Sequence, residues 1–427
     1  MNRRNSIKSL ALLLVSSLLS ACGSEQSDKK SMTILLVSGW QDVNIGDIAH
    51  TPGLLHVLDK YLPDARIILW KRSKSDQVEK LLKKNFPKVE ILYGDVDAEK
   101  KIHEPGLIRA FEAADVMIHG SGPMVVGQSN LEAWVEYSQK PFGLFGVTIQ
   151  NINESLCELL SKASFIYTRE TGSIEVLKFH GLTGNHFSFA PDATFHFHLK
   201  DDDRAQDFLE VNGLEDKKFI CVIPRLRYTP YHEIRQVDWS EEKIREVEET
   251  NIQYKEMDHA KLREAMIRWV NETGNKVLVC PEMTYQVNIV DELLIDPLPE
   301  DVKPNVIKRG YWLTDEAASM YAKAHTVLSF ECHSPIIALA AGTPAMYLRQ
   351  PQDTIKGQMY YDLNLSDWVF EIDDTQGIQI ADRLMEIYNH YPEAQLKTVD
   401  VIDKVSEIYI NACQSIAEQL QYNPYKK

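Results

Sequence analysis

The sequence predicts an α/β protein built from two doubly wound domains that face each other across a cleft. Short apolar runs alternate with amphipathic helical patterns along most of the 427 residues, which is typical of parallel sheets joined by crossover helices. One polar and charged segment, LKDDDRAQDFLEVNGLEDKK, interrupts this alternation and predicts a domain boundary. The length and the 44% hydrophobic composition are sufficient for two packed cores.

The first domain is predicted to cover residues 32–200. Its strands correspond to the runs TILLVS, RIILW, VEILYG, DVMIHGSG, PFGLFGVTI, SFIYTRE and HFSFAPDATF. The helical patterns between them lie at 52–61, 74–85, 104–113, 129–138, 154–161 and 171–180. The order of these elements predicts a sheet with helices on both faces.

The second domain is predicted to cover residues 217–395. Its strands correspond to the runs FICVIPRLR, KVLVCPE, VIKRGYW, HTVLSF and PAMYLR, and its helices lie at 258–272, 314–323 and 334–341. The charged stretch 236–256 is interpreted as an insertion or lid. The helical tail in residues 396–427 is expected to cross back onto the first domain.

The first 22 residues are typical of a bacterial lipoprotein signal peptide. Basic MNRR precedes a short apolar segment and then Leu19, Ser20, Ala21 and Cys22. We expect Cys22 to be the lipidated mature N-terminus and residues 23–31 to be a polar tether. The protein is therefore expected on a bacterial membrane, either the outer membrane or the cell surface, with the membrane reached through the lipid anchor.

The net charge bears on the protein's partners, and the spacing of the cysteines bears on the state of its thiols. A formal charge of −16 without a basic stripe argues against a nucleic-acid partner. Five cysteines remain after Cys22, and they are far apart and without CxxC spacing. Buried, unpaired thiols are the expected state.

Two polar or glycine-rich turns follow predicted strands of the first domain. Asn44, Gly46 and Asp47 lie in SGWQDVNIGD, and Gly120 and Gly122 lie in HGSGPM. Because the carboxyl ends of parallel strands border the ligand crevice, we expect these residues to line the cleft. The alternative is that the first segment is only a capped turn and the second only a tight turn, with no ligand at either. The spacing does not match the GxGxxG fingerprint, which argues against dinucleotide binding. No cofactor is predicted.

Cationic side chains and one histidine also follow predicted strands. Arg169, Arg225 and Arg227 are placed to hold a phosphate or carboxylate, with internal salt bridges as the alternative. His333 is a candidate general acid or base, with a structural histidine as the alternative. The HFH segment at 196–198 lacks an identifiable third ligand, so no metal site is predicted.

These pieces, in this order, resemble the polysaccharide pyruvyl transferase family. The similarity covers roughly residues 33–375 and includes VNIGD, MIHGSGPM, YTRETGSIEVLKFHG, APDATF and CHSPIIALAAGTPAMYL. Arg169, Glu170, Ser173, Asp192 and His333 stand at the family's motif positions. Lys356 falls where the family often has a lysine.

The resemblance implies a Rossmann-like, GT-B-like fold and a specific reaction. The family transfers a pyruvyl group from phosphoenolpyruvate to two sugar hydroxyls of a polysaccharide or oligosaccharide, which gives a cyclic ketal. It implies that protonated His333 donates to the methylene carbon. It also implies that Arg169, Arg225, Arg227 and Lys356 hold the anionic donor, and that the Asn44–Asp47 turn lies on the acceptor side.

Two features depart from the family pattern. Family members usually have arginine two residues before the histidine, where this chain has Glu331. An exported protein would also lie apart from cytosolic phosphoenolpyruvate. The alternative is a non-catalytic, surface glycan-binding lipoprotein with a degenerate donor site. A nucleotide-sugar glycosyltransferase of the same gross fold is a third hypothesis.

Overall fold

The computed structural model describes residues 32–184 and 186–422. The predicted signal peptide, the tether and Cys22 lie outside the described residues, so these expectations stay predictions. Within the described part of the chain, no helix is both long enough and apolar enough to cross a membrane.

The first half of the chain forms a parallel sheet of seven strands in the order β3-β2-β1-β4-β5-β6-β7. The strands are β1 (Thr33–Ser38), β2 (Arg66–Lys71), β3 (Glu90–Leu92), β4 (Val116–His119), β5 (Phe142–Val147), β6 (Phe165–Thr168) and β7 (Phe187–Phe189). The helices are α1 (Ile45–Tyr61), α2 (Asp76–Asn85), α3 (Pro105–Ala113), α4 (Gln128–Ser138), α5 (Glu154–Ser161) and α6 (Thr171–Phe179). The central strands are buried on both faces, which explains why they read as continuous apolar runs.

The second half forms a parallel sheet of six strands in the order β10-β9-β8-β11-β12-β13. The strands are β8 (Phe219–Ile223), β9 (Lys276–Val279), β10 (Val306–Lys308), β11 (Thr326–Ser329), β12 (Ala345–Arg349) and β13 (Val369–Glu371). The helices from the linker onward are α7 (Asp202–Asn212), α8 (Tyr231–Ile234), α9 (Glu241–Thr273), α10 (Gln286–Val290), α11 (Thr314–Lys323), α12 (His333–Ala340), α13 (Gln358–Asp362), α14 (Gly377–Asn389) and α15 (Tyr391–Gln419). The predicted α/β class with two doubly wound sheets is confirmed.

Two helices differ from the sequence-based expectation. Helix α1 begins at Ile45, not near residue 52, because the Asn44 side chain caps it and Pro52 is accommodated inside it. Helix α9 is 33 residues long and starts after the Ser240 cap. Most of the charged stretch 236–256 is therefore the largely exposed first half of a long helix, and its interpretation as an insertion or lid stays a prediction.

Helix α15 packs onto the first half of the chain. The Tyr409 hydroxyl donates to the carbonyl of Asp192 at 2.7 Å, and the Tyr167 hydroxyl donates to the carbonyl of Ala412 at 3.3 Å. These contacts attach the C-terminal helix to β6 and to the turn after β7. The exact limits of the two predicted domains stay a prediction.

The two halves, called here the first and second lobes, are in direct contact. Asn44 and Met283 form an isolated antiparallel bridge, and the Ile45 N–H donates to the Glu282 carbonyl at 2.9 Å. The Thr284 N–H donates to the Val43 carbonyl at 3.1 Å. The turn that begins α1 is thus fastened to the loop after β9.

Candidate functional site

The Asn44–Asp47 turn lies at the contact between the lobes. The Asn44 side-chain oxygen accepts from the Gly46 and Asp47 N–H groups at 2.6 and 3.2 Å. Since Ile45 N–H is taken by Glu282, the first N–H groups of α1 are already bonded and are not offered to an anion. A Cβ at Gly46 would lie under 3.0 Å from the His333 side chain, so glycine permits the close approach of the lobes.

The glycine-rich turn after β4 packs against its own lobe. A Cβ at Gly120 would lie 2.9 Å from the Ser38 hydroxyl, and one at Gly122 would lie 3.1 Å from the Trp40 ring nitrogen. Between them, the buried Ser121 hydroxyl accepts from the Ala193 N–H at 3.2 Å. The turn therefore supports the segment that carries Asp192, and a ligand role for its glycines stays a prediction.

Arg169 is buried and fixed beside Asp192. Its Nη1 donates to Asp192 Oδ2 at 2.9 Å, and its Nε donates to the Thr148 hydroxyl at 2.7 Å. Its other terminal nitrogen, Nη2, has no hydrogen-bond partner. Burial raises the pKa of the adjacent Glu170 to about 7, although Arg169 opposes this shift. Arg169 thus holds a carboxylate in this structure.

His333 stands at the start of α12 with both ring nitrogens facing carboxylates. Nδ1 lies 3.4 Å from Glu282 Oε1, and Nε2 lies 3.6 Å from Asp192 Oδ2. Glu282 is held in turn by the Ser334 N–H and hydroxyl at 2.6 and 2.7 Å. Burial opposes a charge on His333, but hydrogen bonds to Asp192 and Glu282 raise its pKa well above the usual range.

His50 completes this cluster and was missed as a site residue by the sequence analysis. Its Nε2 lies 3.0 Å from His333 Nε2 and 3.2 Å from Asp192 Oδ2, and the residue is fully buried. The available signal was its position one helical turn after Asp47, which places both side chains on one face of α1. Its side-chain partners come from distant segments, which no local pattern reveals.

The cations of the second lobe form a compact network around Asp353. Arg225 Nη1 donates to Asp353, and Lys356 Nζ lies 3.2 Å from the same carboxylate oxygen. Although burial acts in the opposite direction, Arg225 and Lys356 hold the pKa of Asp353 well below its usual value. Glu331 lies 3.3 Å from Arg225 Nε, and burial raises its pKa to about 7. Two cations and two carboxylates are thus packed together.

This network continues to His333 through Gln286. The Gln286 amide donates to Glu331 at 2.7 Å, and its oxygen accepts from the Glu282 N–H at 2.7 Å. The structure therefore brings Arg169, Arg225, Lys356 and His333 into one connected set of polar side chains. Their roles in binding stay a prediction.

Arg227 is joined to this set through Asp258 and Gln350, because the Gln350 amide donates to Asp258 at 3.2 Å and its oxygen accepts from Arg225 Nη1 at 3.3 Å. Both Nε and Nη2 donate to Asp258 at 2.9 Å, and Nη2 also donates to Asp373. The guanidinium lies 3.6 Å from the centre of the Tyr254 ring. Arg227 thus corresponds to the internal salt-bridge alternative in this structure.

One group of side chains among the described residues has the arrangement that could hold a metal ion. One ligand atom each from His50, Asp192 and His333 lies within 4.8 Å of the others, and all three residues are buried. The HFH histidines considered from the sequence, His196 and His198, instead pack edge to face with ring centres 4.4 Å apart.

Comparison with solved structures supports the fold. A glycosyltransferase from Rickettsia africae matches with a TM-score of 0.58 at 12% identity, over 92% of this chain and all (100%) of that chain. The UDP-GlcNAc 2-epimerase from Neisseria meningitidis matches with a TM-score of 0.57 at 11% identity, over 92% and 100% of the two chains. Anabaena Alr3699/HepE, solved with UDP-glucose, matches with a TM-score of 0.56 at 12% identity, over 91% and 99%. At these identities the likeness concerns the fold, which is of the GT-B type.

The sequence comparison identifies the family. No protein of curated function matches the sequence. The sequence profile of the polysaccharide pyruvyl transferases matches residues 44–350, which span the Asn44 turn, Arg169, Asp192 and His333. The chain therefore belongs to the polysaccharide pyruvyl transferase family.

Proposed function

We propose that this protein transfers the pyruvyl group of phosphoenolpyruvate to two hydroxyl groups of one sugar in a polysaccharide. The second carbon of the donor forms two C–O bonds to the sugar, and its bond to the phosphate oxygen breaks. One hydroxyl proton ends on the methylene carbon, which becomes a methyl group, and the other leaves with the phosphate. The product is a cyclic ketal that carries the donor's carboxylate.

The convergence of the family's motifs at Asp192 carries this proposal. Asp192 contacts Arg169 from β6 and His333 from the second lobe. The Asn44–Asp47 turn packs directly beside His333. Residues separated by more than half of the matched segment thus meet at one buried point between the two sheets, where a GT-B fold places its ligands.

The donor is assigned to the Asp353 network of the second lobe. Arg225 and Lys356 provide a planar fork and a point charge, which suit a carboxylate and a phosphate respectively. Both cations are already paired with Asp353, and Arg225 also faces Glu331. A bound donor must therefore displace one of these carboxylates from its cation.

His333 is assigned to deliver the proton to the methylene carbon. In the closed arrangement its ring nitrogens face protein carboxylates and His50 rather than an open cavity. Separation of the lobes would withdraw His50 and Asp192 from Nε2 and free that atom for a ligand. The reaction cycle on this proposal therefore includes an opening of the interlobe contact.

A glycan-binding protein without transferase activity is the second candidate. It is favoured by one observation: each cation that the family resemblance places at the donor is paired with a carboxylate of the chain. The pairs are Arg169 with Asp192, Arg225 with Asp353 and Glu331, Arg227 with Asp258 and Asp373, and Lys356 with Asp353. Attachment to a bacterial membrane through Cys22, with the protein facing surface polysaccharide, is proposed for both candidates.

Binding calorimetry distinguishes the two candidates. The purified protein is titrated with phosphoenolpyruvate, pyruvate, and pyruvylated and plain glycans, alongside Lys356→Gln. Arg268→Gln is the control, because Arg268 is a surface residue paired with Glu272 and Asp382. The transferase predicts phosphoenolpyruvate binding that Lys356→Gln weakens and Arg268→Gln does not. Glycan binding without any donor binding would instead establish the second candidate.

A further inference from the structure

We propose that His50, Asp192 and His333 form a binding site for a first-row divalent transition-metal ion, such as Zn²⁺, between the two lobes. His50 and Asp192 belong to the first lobe and His333 to the second. An ion held by all three would therefore join the lobes. The sequence alone predicts no such site, because the three residues are far apart and share no ligand-spacing motif.

The spacing of the three ligand atoms fits tetrahedral coordination. His50 Nε2, His333 Nε2 and Asp192 Oδ2 form a triangle with edges of 3.0, 3.2 and 3.6 Å. A point about 1.9 Å from all three atoms lies at its centre, and ligands at about 2.0 Å in a tetrahedron stand about 3.3 Å apart. An ion slightly out of the triangle's plane therefore reaches all three atoms and keeps a fourth position open.

The far sides of the two imidazoles face carboxylates, although His50 Nδ1 makes no hydrogen bond to any described residue. Metal-binding histidines commonly direct their second ring nitrogen at a carboxylate, which orients the ring. His333 Nδ1 lies 3.4 Å from Glu282 Oε1, and His50 Nδ1 lies 3.8 Å from Asp47 Oδ1. The other oxygen of Asp192, Oδ1, accepts from the Thr194 N–H at 3.0 Å. Each Nε2 is thus left pointing at the common centre.

The charge of the surroundings favours a divalent cation. Asp47, Asp192 and Glu282 bring three carboxylates to the two imidazoles, and Arg169 brings one positive charge. Arg169 donates to Asp192 Oδ2, the ligand oxygen, and this contact weakens the attraction for an ion. Two carboxylate charges remain after Arg169 is counted, and a divalent ion balances them.

The ligand types select the class of metal. Imidazole nitrogens suit zinc, cobalt, nickel and iron, whereas Mg²⁺ prefers a complete set of oxygens. The inference goes beyond the proposed function, because the ion would occupy the same His333 nitrogen that is assigned to proton delivery. The closed form that binds the metal and the open form that transfers the pyruvyl group thus exclude each other. Metal binding can be measured without donor or glycan, so its failure is distinguishable from failure of the proposed function.

Metal titration of the purified protein, stripped with a chelator, tests the site. We expect one equivalent of Zn²⁺ to bind, Mg²⁺ not to bind, and His50→Gln to weaken Zn²⁺ binding more than about 100-fold, since it removes a direct ligand rather than an outer partner. His196→Gln is the matched control, a buried histidine of the same lobe outside the cluster. Equal Zn²⁺ affinity in the wild type and His50→Gln would overturn the proposal.

The Co²⁺ spectrum of the wild type provides a second readout that needs no variant. A His₂Asp site predicts visible bands of a low-coordinate ion without the near-ultraviolet charge-transfer band of a thiolate ligand. That distinction matters because the described residues include five free cysteines. A thiolate band, or no Co²⁺ binding, would contradict the assignment even where His50→Gln fails to fold.

Discussion

Replacing Asp353 with asparagine should destabilise the protein and, at the same time, create a site where an anion can bind. Asp353 is buried and receives Arg225, Lys356 and the Tyr347 hydroxyl. Asparagine keeps the shape of the side chain but removes its charge, so the Asp353 network retains two cations, Arg225 and Lys356, against Glu331 alone. The variant therefore carries one uncompensated positive charge at the proposed donor site.

The magnitude follows from the geometry. At the 3.2 Å between Lys356 Nζ and Asp353 Oδ1, the attraction is about 5 kcal/mol at an effective dielectric constant of 20. Breaking one partner of a buried ion pair costs about 3–5 kcal/mol. We expect the free energy of unfolding to fall by about that amount. An anion at 100 times its dissociation constant would restore about 2.7 kcal/mol.

Urea unfolding, with and without phosphoenolpyruvate or phosphate at constant ionic strength, measures both effects. Asp97→Asn is the control, because it removes a surface ion pair with the exposed His103 that should be worth about 0–1 kcal/mol. The asparagine oxygen can still accept from the N–H groups of Glu99 and Lys101, as Asp97 does. The anion should stabilise Asp353→Asn more than the wild type. A loss below about 1 kcal/mol for Asp353→Asn, or equal stabilisation of both proteins by the anion, would refute the reasoning.

Three further predictions concern other parts of the molecule. Burial raises the pKa of Glu170 to about 7, so its protonated form contributes stability that is complete below its ordinary pKa and is lost as pH rises through 7. From pH 4 to 8, the free energy of unfolding of Glu170→Gln should therefore rise relative to that of the wild type by up to about 3 kcal/mol. Parallel curves of unfolding free energy against pH would contradict this. Gly46→Ala should lower stability by about 1–3 kcal/mol through its clash with His333, whereas Gly310→Ala, with no atom within 4 Å of its Cβ, should change little in the same thermal unfolding assay. Cys22→Ser should release the protein from membranes, and a wild type that incorporates no labelled fatty acid would disprove the anchor.

The fold could be predicted from the sequence because parallel, doubly buried strands leave a strong local signal. The run TILLVS became β1 with the predicted bounds, and the run FICVIPRLR begins where β8 begins, although that strand ends at Ile223. The residues at which helices begin were harder to predict from the sequence. The Asn44 cap lies before a segment with a Pro–Gly pair, and the charged half of α9 has few buried positions until it reaches the second sheet.

The candidate site could be predicted only in part. Arg169 and His333 stand at strand ends, so the sheet topology brings them to one cleft. The carboxylate partners in the second lobe could not be inferred, because Arg225 reaches Asp353 across 128 positions of sequence, and Ser334 reaches Glu282 across 52. The pairing of every proposed donor cation with an internal carboxylate is likewise a property of the packed structure.

Simultaneous detection of ketal and phosphate tests the central claim most directly. The protein is incubated with surface polysaccharide and phosphoenolpyruvate labelled at its second carbon, and carbon and phosphorus NMR spectra are recorded on the same sample. A pyruvyl transferase predicts a new ketal carbon signal that grows in step with free phosphate, in equal amounts. Polysaccharide binding with neither signal would contradict the transferase assignment and leave the glycan-binding function in its place.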